Sequence, residues 1–439
     1  MKKNKLLTVL TVGFALFAMF FGAGNLILPP YIGLKAGADW SMALFGFFIT
    51  AILSPFLGVV MVAKSGTAFV DLGKRIHPQF INVLALLIIL CIGPLVSIPR
   101  TGATTFEIGV LPFFPDFNNV LFAIIFFSVV LALSISQTKI VDIIGMVLTP
   151  FLLISLLILV LLGVLNPMKM PETPVMTGAE LFTFSFVEGY QNLDVLASVI
   201  FAGMIIAAVM QSGYASISER INITIWAGVV STVFLLLIYG GLIYLGATTD
   251  YQTQGEVSRT ALLLHISHSV LGKKGAFVIS IVIALACLTT AIALTSATGA
   301  FFEKLTKGKL SYKAGVLLCT VVSILLSINS VDTIISYAIN ILLFIYPITF
   351  AMMLYILVFG KKVKSRQPYI AGIVVAGLVS LISVAENLKL PVSGLYQLKS
   401  AIPLSEYSLE WLLPSLVAFL LVAMLSRNSP IEKNANKAE

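Results

Sequence analysis

Charge is scarce in this chain. Asp, Glu, Lys and Arg together make up 10% of its 439 residues, against 59% apolar residues and a mean hydropathy of +1.05. That balance excludes a soluble globule and leaves a polytopic membrane protein. Cysteine is nearly absent too. Cys91, Cys287 and Cys319 each sit in an apolar run at no metal-ligand spacing, so no disulfide or thiolate metal site is assigned. His265 and His268 stand one helical turn apart with no third ligand in view, which argues against a metal there. The chain contains no Gly-x4-Gly-Lys-Ser/Thr loop, no His-Glu-x-x-His and no Gly-x-Ser-x-Gly. An ATP-driven pump is thereby excluded, and nothing points to an enzyme or to a cofactor. No filter motif repeats along the apolar runs, which disfavours a channel.

What is present is long hydrophobic runs. Hydropathy predicts an all-α protein of about twelve transmembrane helices at 6–34, 40–63, 80–110, 118–136, 140–165, 188–210, 222–247, 275–302, 311–328, 332–359, 367–385 and 408–426. An even number of crossings puts both termini on one side. Nineteen of the 27 Lys and Arg residues fall on that side, so both termini are expected in the cytoplasm. Between the seventh and eighth spans, 255–272 is too polar to cross but carries apolar residues on one helical face, and is expected to lie on the outer surface as a lid-like helix. Five spans, 1–165, precede five more, 188–359. Five being odd, the second set starts from the opposite side, as an inverted repeat would. Two additional helices, 367–426, follow, and no soluble domain is attached.

The first run carries no charge over the 29 residues between Lys5 and Lys35, yet Phe20-Phe21-Gly22-Ala23-Gly24-Asn25-Leu26-Ile27-Leu28-Pro29-Pro30 interrupts it past its midpoint. Glycine opens non-helical backbone angles, and proline leaves an upstream carbonyl without its donor. Unpaired backbone is tolerated at membrane depth only where protein or a wet cavity covers it, so a broken first helix marks a binding site. The sixth span has a glycine near its middle as well, in Val199-Ile200-Phe201-Ala202-Gly203, and is expected to be discontinuous there.

Three further features could carry chemistry. Thr289 and Thr290 sit at the centre of the 28-residue uncharged run between Lys274 and Glu303. They either bond back to carbonyls one turn earlier or, with the carbonyl of Ala286, offer oxygen ligands to a small hard cation, with carbonyls freed at Ala18 and Phe21 completing the shell. Arg100 lies deep in the third span, where a charge needs a partner. Glu107, seven residues on, and Asp194 are the candidates; otherwise Arg100 snorkels to the interface. Pro94 and Pro99 should kink this span and make Ser97 a pocket residue. Asp194 is the candidate for a proton relay, and Arg100 and Glu107 for a gate.

With these residues in hand, the chain resembles the bacterial branched-chain amino acid:cation symporters, within the wider group sharing the LeuT-type five-plus-five inverted repeat. The resemblance is carried by Phe21-Gly22-Ala23-Gly24-Asn25-Leu26-Ile27-Leu28-Pro29-Pro30, by Gly93-Pro94-Leu95-Val96-Ser97-Ile98-Pro99-Arg100-Thr101, and by Glu188-Gly189-Tyr190 with Asp194 and Phe201. It implies uptake of leucine, isoleucine and valine with Na+, favoured over H+, across the cytoplasmic membrane; an uncoupled exchanger or permease of the same fold is the alternative. It also implies a substrate site at Phe20, Gly22, Ala23, Gly24, Asn25, Ser97, Phe201, Ala202, Gly203 and Leu294. Backbone amides at 23–25 would face the carboxylate, carbonyls near Phe20 and Phe201 the ammonium, and Phe201, Ile200 and Leu294 the side chain. The cation site falls on Ala18, Phe21, Ala286, Thr289 and Thr290. The partners implied are the amino acid, the cation and lipid, with no nucleic acid and no obligate protein partner.

Overall fold

The computed structural model describes residues 4–22, 24–135, 140–174, 176, 178–214, 216–252 and 255–427, with side chains of 140–149 and 427 set aside. Ala23, one of the expected site residues, lies outside the described residues. The chain is 82% helical, with no strand among the described residues.

The first run is two helices, as its glycines and prolines require. Helix α1, Lys5–Phe20, is capped by the Asn4 side chain, which accepts from the Leu6 amide at 2.9 Å. It ends at Phe21 in extended backbone (φ −89°, ψ 93°), and α2, Gly24–Ala36, resumes beyond the break. Inside α2, Pro29 and Pro30 cannot donate to the carbonyls of Asn25 and Leu26. Helix α2 runs bare against a later helix, Ile217–Ala247. A methyl on Gly33 would fall 1.8 Å from the Ile243 carbonyl oxygen, and one on Gly246 would fall 2.0 Å from that of Pro30. Small residues allow this backbone-to-backbone approach, the usual way helices associate where lipid offers no hydrophobic driving force.

The remaining helices follow in order: α3 Trp40–Phe48, α4 Ser54–Ser65, α5 Pro78–Leu90, α6 Ser97–Thr104, α7 Asn119–Ile135, α8 Ile140–Leu165, α9 Gly178–Glu188, α10 Asp194–Gln211, α11 Ile217–Ala247, α12 Arg259–Leu305, α13 Tyr312–Ser327, α14 Val331–Phe359, α15 Gln367–Asn387, α16 Ser393–Ser400 and α17 Leu412–Arg427. Among the described residues, seven helical stretches are long and apolar enough to cross a membrane, and five further apolar helices are shorter. Lipid-facing positions are apolar, as in Leu121, Ile124 and Ile125 of α7 and Phe151, Ile154 and Ile158 of α8, all exposed.

Three runs are bent or interrupted, two of them at a glycine that supplies the cause. The third run kinks at Gly93 (φ −101°, ψ −122°) beside Pro94, and passes through π-helical turns at Cys91–Leu95 and Thr105–Val110 around α6. Helix α12 turns at Gly272 (φ 66°, ψ 178°), a conformation open to glycine, so that its first thirteen residues form the surface helix expected over 255–272. The sixth run is interrupted by a 3₁₀ turn, Gly189–Asn192, and by Leu193 in left-handed conformation (φ 64°, ψ 6°). This corrects the expected position of the break. Helix α10 continues unbroken through Phe201, Ala202 and Gly203, because Gly203 serves close packing: a methyl there would sit 3.0 Å from the carbonyl oxygen of Thr67.

Candidate functional site

The two breaks are tied to each other by one side chain. Asn25, in the first turn of α2 and 1% exposed, accepts the Gly22 amide on Oδ1 at 3.0 Å and so closes the gap left by the missing helical bonds. Its Nδ2 donates to Oδ2 of Asp194 at 2.7 Å and also meets the hydroxyl of Tyr239 on α11. Asp194 is the first residue of α10 after left-handed Leu193, itself buried. A leucine in that conformation costs roughly 1–2 kcal/mol and persists only where surrounding contacts impose it.

Arg100 of α6 enters the same junction. Its side chain is 3% exposed, and Nη1 donates to the Gln191 carbonyl at 2.5 Å, a carbonyl freed by the break before α10. The guanidinium lies flush against the other break, since a methyl on Gly24 would fall 2.6 Å from Nη2. Gln191 in turn donates its Nε2 to the Ile335 carbonyl of α14 at 3.3 Å, and the Tyr337 hydroxyl donates to the Leu95 carbonyl at 3.1 Å. Beside them, both polar atoms of the Asn192 amide and the hydroxyl of Tyr346 are buried without a partner. The junction is therefore polar, buried and incompletely satisfied within the protein, the character of a site that recognises a polar ligand.

Of the expected substrate residues, the structure brings Gly22, Gly24 and Asn25 into this junction, with Phe20 buried next to it and Ser97 three residues ahead of Arg100 in α6. Phe201, Ala202 and Gly203 lie about two turns beyond Asp194, roughly 10 Å along the helix, and leave the junction to residues 189–194. Leu294 packs instead with Ile98, Phe127, Ala291, Ile292 and Cys319, in a cluster separate from the main core.

The expected cation ligands stand on two helices. Thr289 donates its hydroxyl to the Ala286 carbonyl at 3.0 Å, which is the internal bonding that threonines in membrane helices make, and Thr290 is half-buried beside it. Ala18 is exposed near the end of α1 and Phe21 caps that helix, which packs chiefly on α10 and α11.

Arg100 and Glu107 do not meet. Seven residues would return to the same face of a regular helix, but the π-helical turn at Thr105–Val110 breaks that register. Glu107 instead accepts the Thr260 hydroxyl at 2.5 Å and the Val331 amide at 2.8 Å, joining the starts of α12 and α14. It belongs to a second cluster, at the end of the molecule remote from Lys5. There Arg259 bridges Asp332 at 2.6 Å and Glu188 at 3.0 Å, with its guanidinium 4.0 Å from the centre of the Tyr31 ring. A basin of 1460 Å³ lined by Tyr31, Glu107, Glu188, Arg259 and Asp332 opens beyond it. At that end His265 pairs with Asp250 at 2.7 Å, and this hydrogen bond holds the Asp250 carboxyl below the usual carboxylate range. No group of three or more His, Cys, Asp or Glu that could hold a metal occurs among the described residues.

Sequence reasoning singled out neither Gln191, Asn192, Tyr239 and Tyr346 nor the pairing of Arg259 with Glu188 and Asp332. The only available signal was the polar cluster Gly189-Tyr190-Gln191-Asn192-Leu193-Asp194 at the head of an apolar run.

Two broken helices laid against each other within an all-helical membrane bundle define the LeuT-type fold. Solved structures of that fold superpose over nearly the whole chain. The crystal structure of MhsT in complex with L-phenylalanine matches with a TM-score of 0.58 at 16% identity, covering 94% of this chain and 98% of MhsT. The inward-facing conformation of Mhp1 matches with a TM-score of 0.55 at 14% identity, covering 95% and 91%. At sequence level the family described as branched-chain amino acid transport protein matches residues 5–429, and the chain belongs to that family. It is 35% identical over 425 residues to the branched-chain amino acid permease BraB of Bacillus subtilis, covering 94% of both chains. To the branched-chain amino acid carrier protein SSP1343 of Staphylococcus saprophyticus it is 32% identical over 441 residues, covering 96% of this chain and 97% of the relative.

Proposed function

We propose that this transporter imports leucine, isoleucine and valine by symport with a cation, Na+ in preference to H+, through alternating access around the junction of the two breaks. The observation that carries the reading is the Asn25–Asp194 bond, which joins half-helix to half-helix at one buried polar point inside a branched-chain amino acid transport family. The start of α2 presents backbone amides and the positive end of a helix dipole to a carboxylate. A pocket walled by apolar side chains separates leucine from alanine but not leucine from valine, since one methylene is worth about 1–3 kcal/mol. The three substrates therefore share the site.

Na+ is favoured because Ala286, Thr289 and Thr290 offer neutral oxygens within one turn of α12, and Ala18 and Phe21 offer carbonyls where α1 ends. In this reading the Thr289 hydroxyl turns from the Ala286 carbonyl to the ion when α1 closes on α12. Asp194 is the group that would carry a proton were H+ the coupling ion. The Arg259–Glu188–Asp332 cluster, with Glu107 beside it, acts as the outer gate, and Arg100 and Asp194 belong to the binding site. Twelve spans, a five-plus-five inverted repeat with two extra helices, and cytoplasmic termini complete the architecture of this proposal.

The test is uptake of labelled leucine by purified protein in liposomes, under an inward sodium gradient at equal pH or under a proton gradient in sodium-free buffer. Accumulation above equilibrium with sodium alone is expected. Accumulation with protons alone overturns the sodium assignment. Exchange without accumulation under either gradient overturns symport in favour of an uncoupled exchanger.

A further inference from the structure

We infer that Arg100 is the counter-charge that receives the carboxylate of the transported amino acid, with the Asn192 amide beside it completing the polar end of the site. The inference rests on the reading of this chain as an amino acid transporter and assigns the recognition step to particular side chains. A buried guanidinium carries five N–H donors in one plane, and at Arg100 one of them is given to the Gln191 carbonyl. The rest of the fork faces the break at Gly22–Asn25, where the absence of a side chain on Gly24 lets it come flush with the backbone.

A carboxylate is the ligand that such a fork matches with two parallel hydrogen bonds, which a lysine cannot reproduce. The opening turn of α2, at Gly24, lies against the same guanidinium, and a helix start favours the same charge. Asp194 takes its hydrogen bond from Asn25, whereas Arg100 gives its own to Gln191. A carboxyl group and a guanidinium thus stand in one buried junction, each held by a different neutral partner. A zwitterion brings a matching charge to each. The second, independent observation is Asn192. It is 5% exposed and lies in the same break as the carbonyl that Arg100 holds, and neither its amide nitrogen nor its oxygen has a partner. Such a group is expected where a ligand supplies the missing bonds.

The experiment is equilibrium binding of L-leucine and of L-leucinamide to the full chain in lipid nanodiscs. The two ligands share side chain and ammonium, but leucinamide replaces the carboxylate with a neutral amide. Wild-type protein should bind leucine the more tightly by roughly 100-fold. In Arg100→Gln, leucine should weaken by roughly 10- to 100-fold while leucinamide changes by less than about threefold, so that the preference collapses.

Gly24→Ala, whose methyl displaces the guanidinium in a chain that keeps Arg100, should reduce the preference in the same direction. It supplies the readout if Arg100→Gln fails to fold. An unchanged preference in either folded variant, or an equal weakening of both ligands, overturns the inference and returns Arg100 to a structural role. Wild-type protein that binds no leucine overturns the reading of function and this inference with it. Wild-type protein that binds leucine while the variants keep its preference overturns this inference alone.

Discussion

Removing the charge of Arg259 should unlatch the end of the molecule remote from Lys5. Arg259, Glu188 and Asp332 hold one another at 3.0 and 2.6 Å, with side chains 11%, 14% and 29% exposed. Taking one partner from a buried ion pair costs about 3–5 kcal/mol, because it strands the remaining charge. The partial exposure of Asp332 to the basin reduces this, and about 2–3 kcal/mol is the appropriate figure. Those contacts link the starts of α12 and α14 to the end of α9 and exist only while the three stay together. Arg259→Gln should therefore shift the balance toward the open form by roughly 30- to 150-fold. The reporter is Ile335→Cys, at a position that lines the basin yet is 4% exposed. The native Cys91, Cys287 and Cys319 are buried and give little background. Labelling of Ile335→Cys by a membrane-impermeant thiol reagent should rise at least about tenfold when Arg259→Gln is added, and Arg259→Lys should recover part of the protection. An unchanged labelling rate would refute the assignment of this cluster as a gate.

Three further outcomes follow from particular contacts. Thr289→Ala and Thr290→Ala should each raise the sodium concentration for half-maximal uptake at least about tenfold, measured in proteoliposomes, since each would take one oxygen from the proposed cation site. Gly246→Ala forces a methyl to within 2.0 Å of the Pro30 carbonyl oxygen, whereas a methyl on Gly240 meets Leu44 at an ordinary 3.4 Å. Gly246→Ala should cost about 1–3 kcal/mol and lower the thermal midpoint in detergent, with Gly240→Ala unchanged or higher. In the loop before α5, the Asp71 carboxylate accepts from the amides of Thr67 and Ala68 and from the Thr67 hydroxyl, which holds its pKa below the usual 3.8. A depressed carboxylate contributes stability that is complete above its unfolded pKa and disappears as pH falls through the folded one. Acid-stable protease should therefore cut residues 66–74 faster only below about pH 4, and Asp71→Asn should abolish that dependence.

How much was legible depended on how local each determinant was. The break at 21–24 shows in sequence because two glycines, an amide and two prolines act on their own backbone. The break at 189–193 does not, because Leu193 is held in left-handed conformation by its surroundings and not by its own preference. Gly203 attracted the assignment instead, though its lack of a side chain serves packing against Thr67. The partner of Arg100 was misjudged for a different reason. A π-helical turn rotates Glu107 off the face that regular spacing gives it, and the carbonyl that Arg100 holds lies 91 residues away. The Asn25–Asp194 bond and the Arg259 cluster likewise join distant segments, so their members could be noticed as polar residues in apolar surroundings but not paired.

The central claim is that substrate sits where the two breaks meet, and a structure of the full chain in lipid with L-leucine bound tests it most directly. The account predicts density for the amino acid between Gly22–Asn25 and residues 189–194, its carboxylate toward Arg100. Density beside Phe201–Gly203, with the 189–194 junction empty, would contradict it.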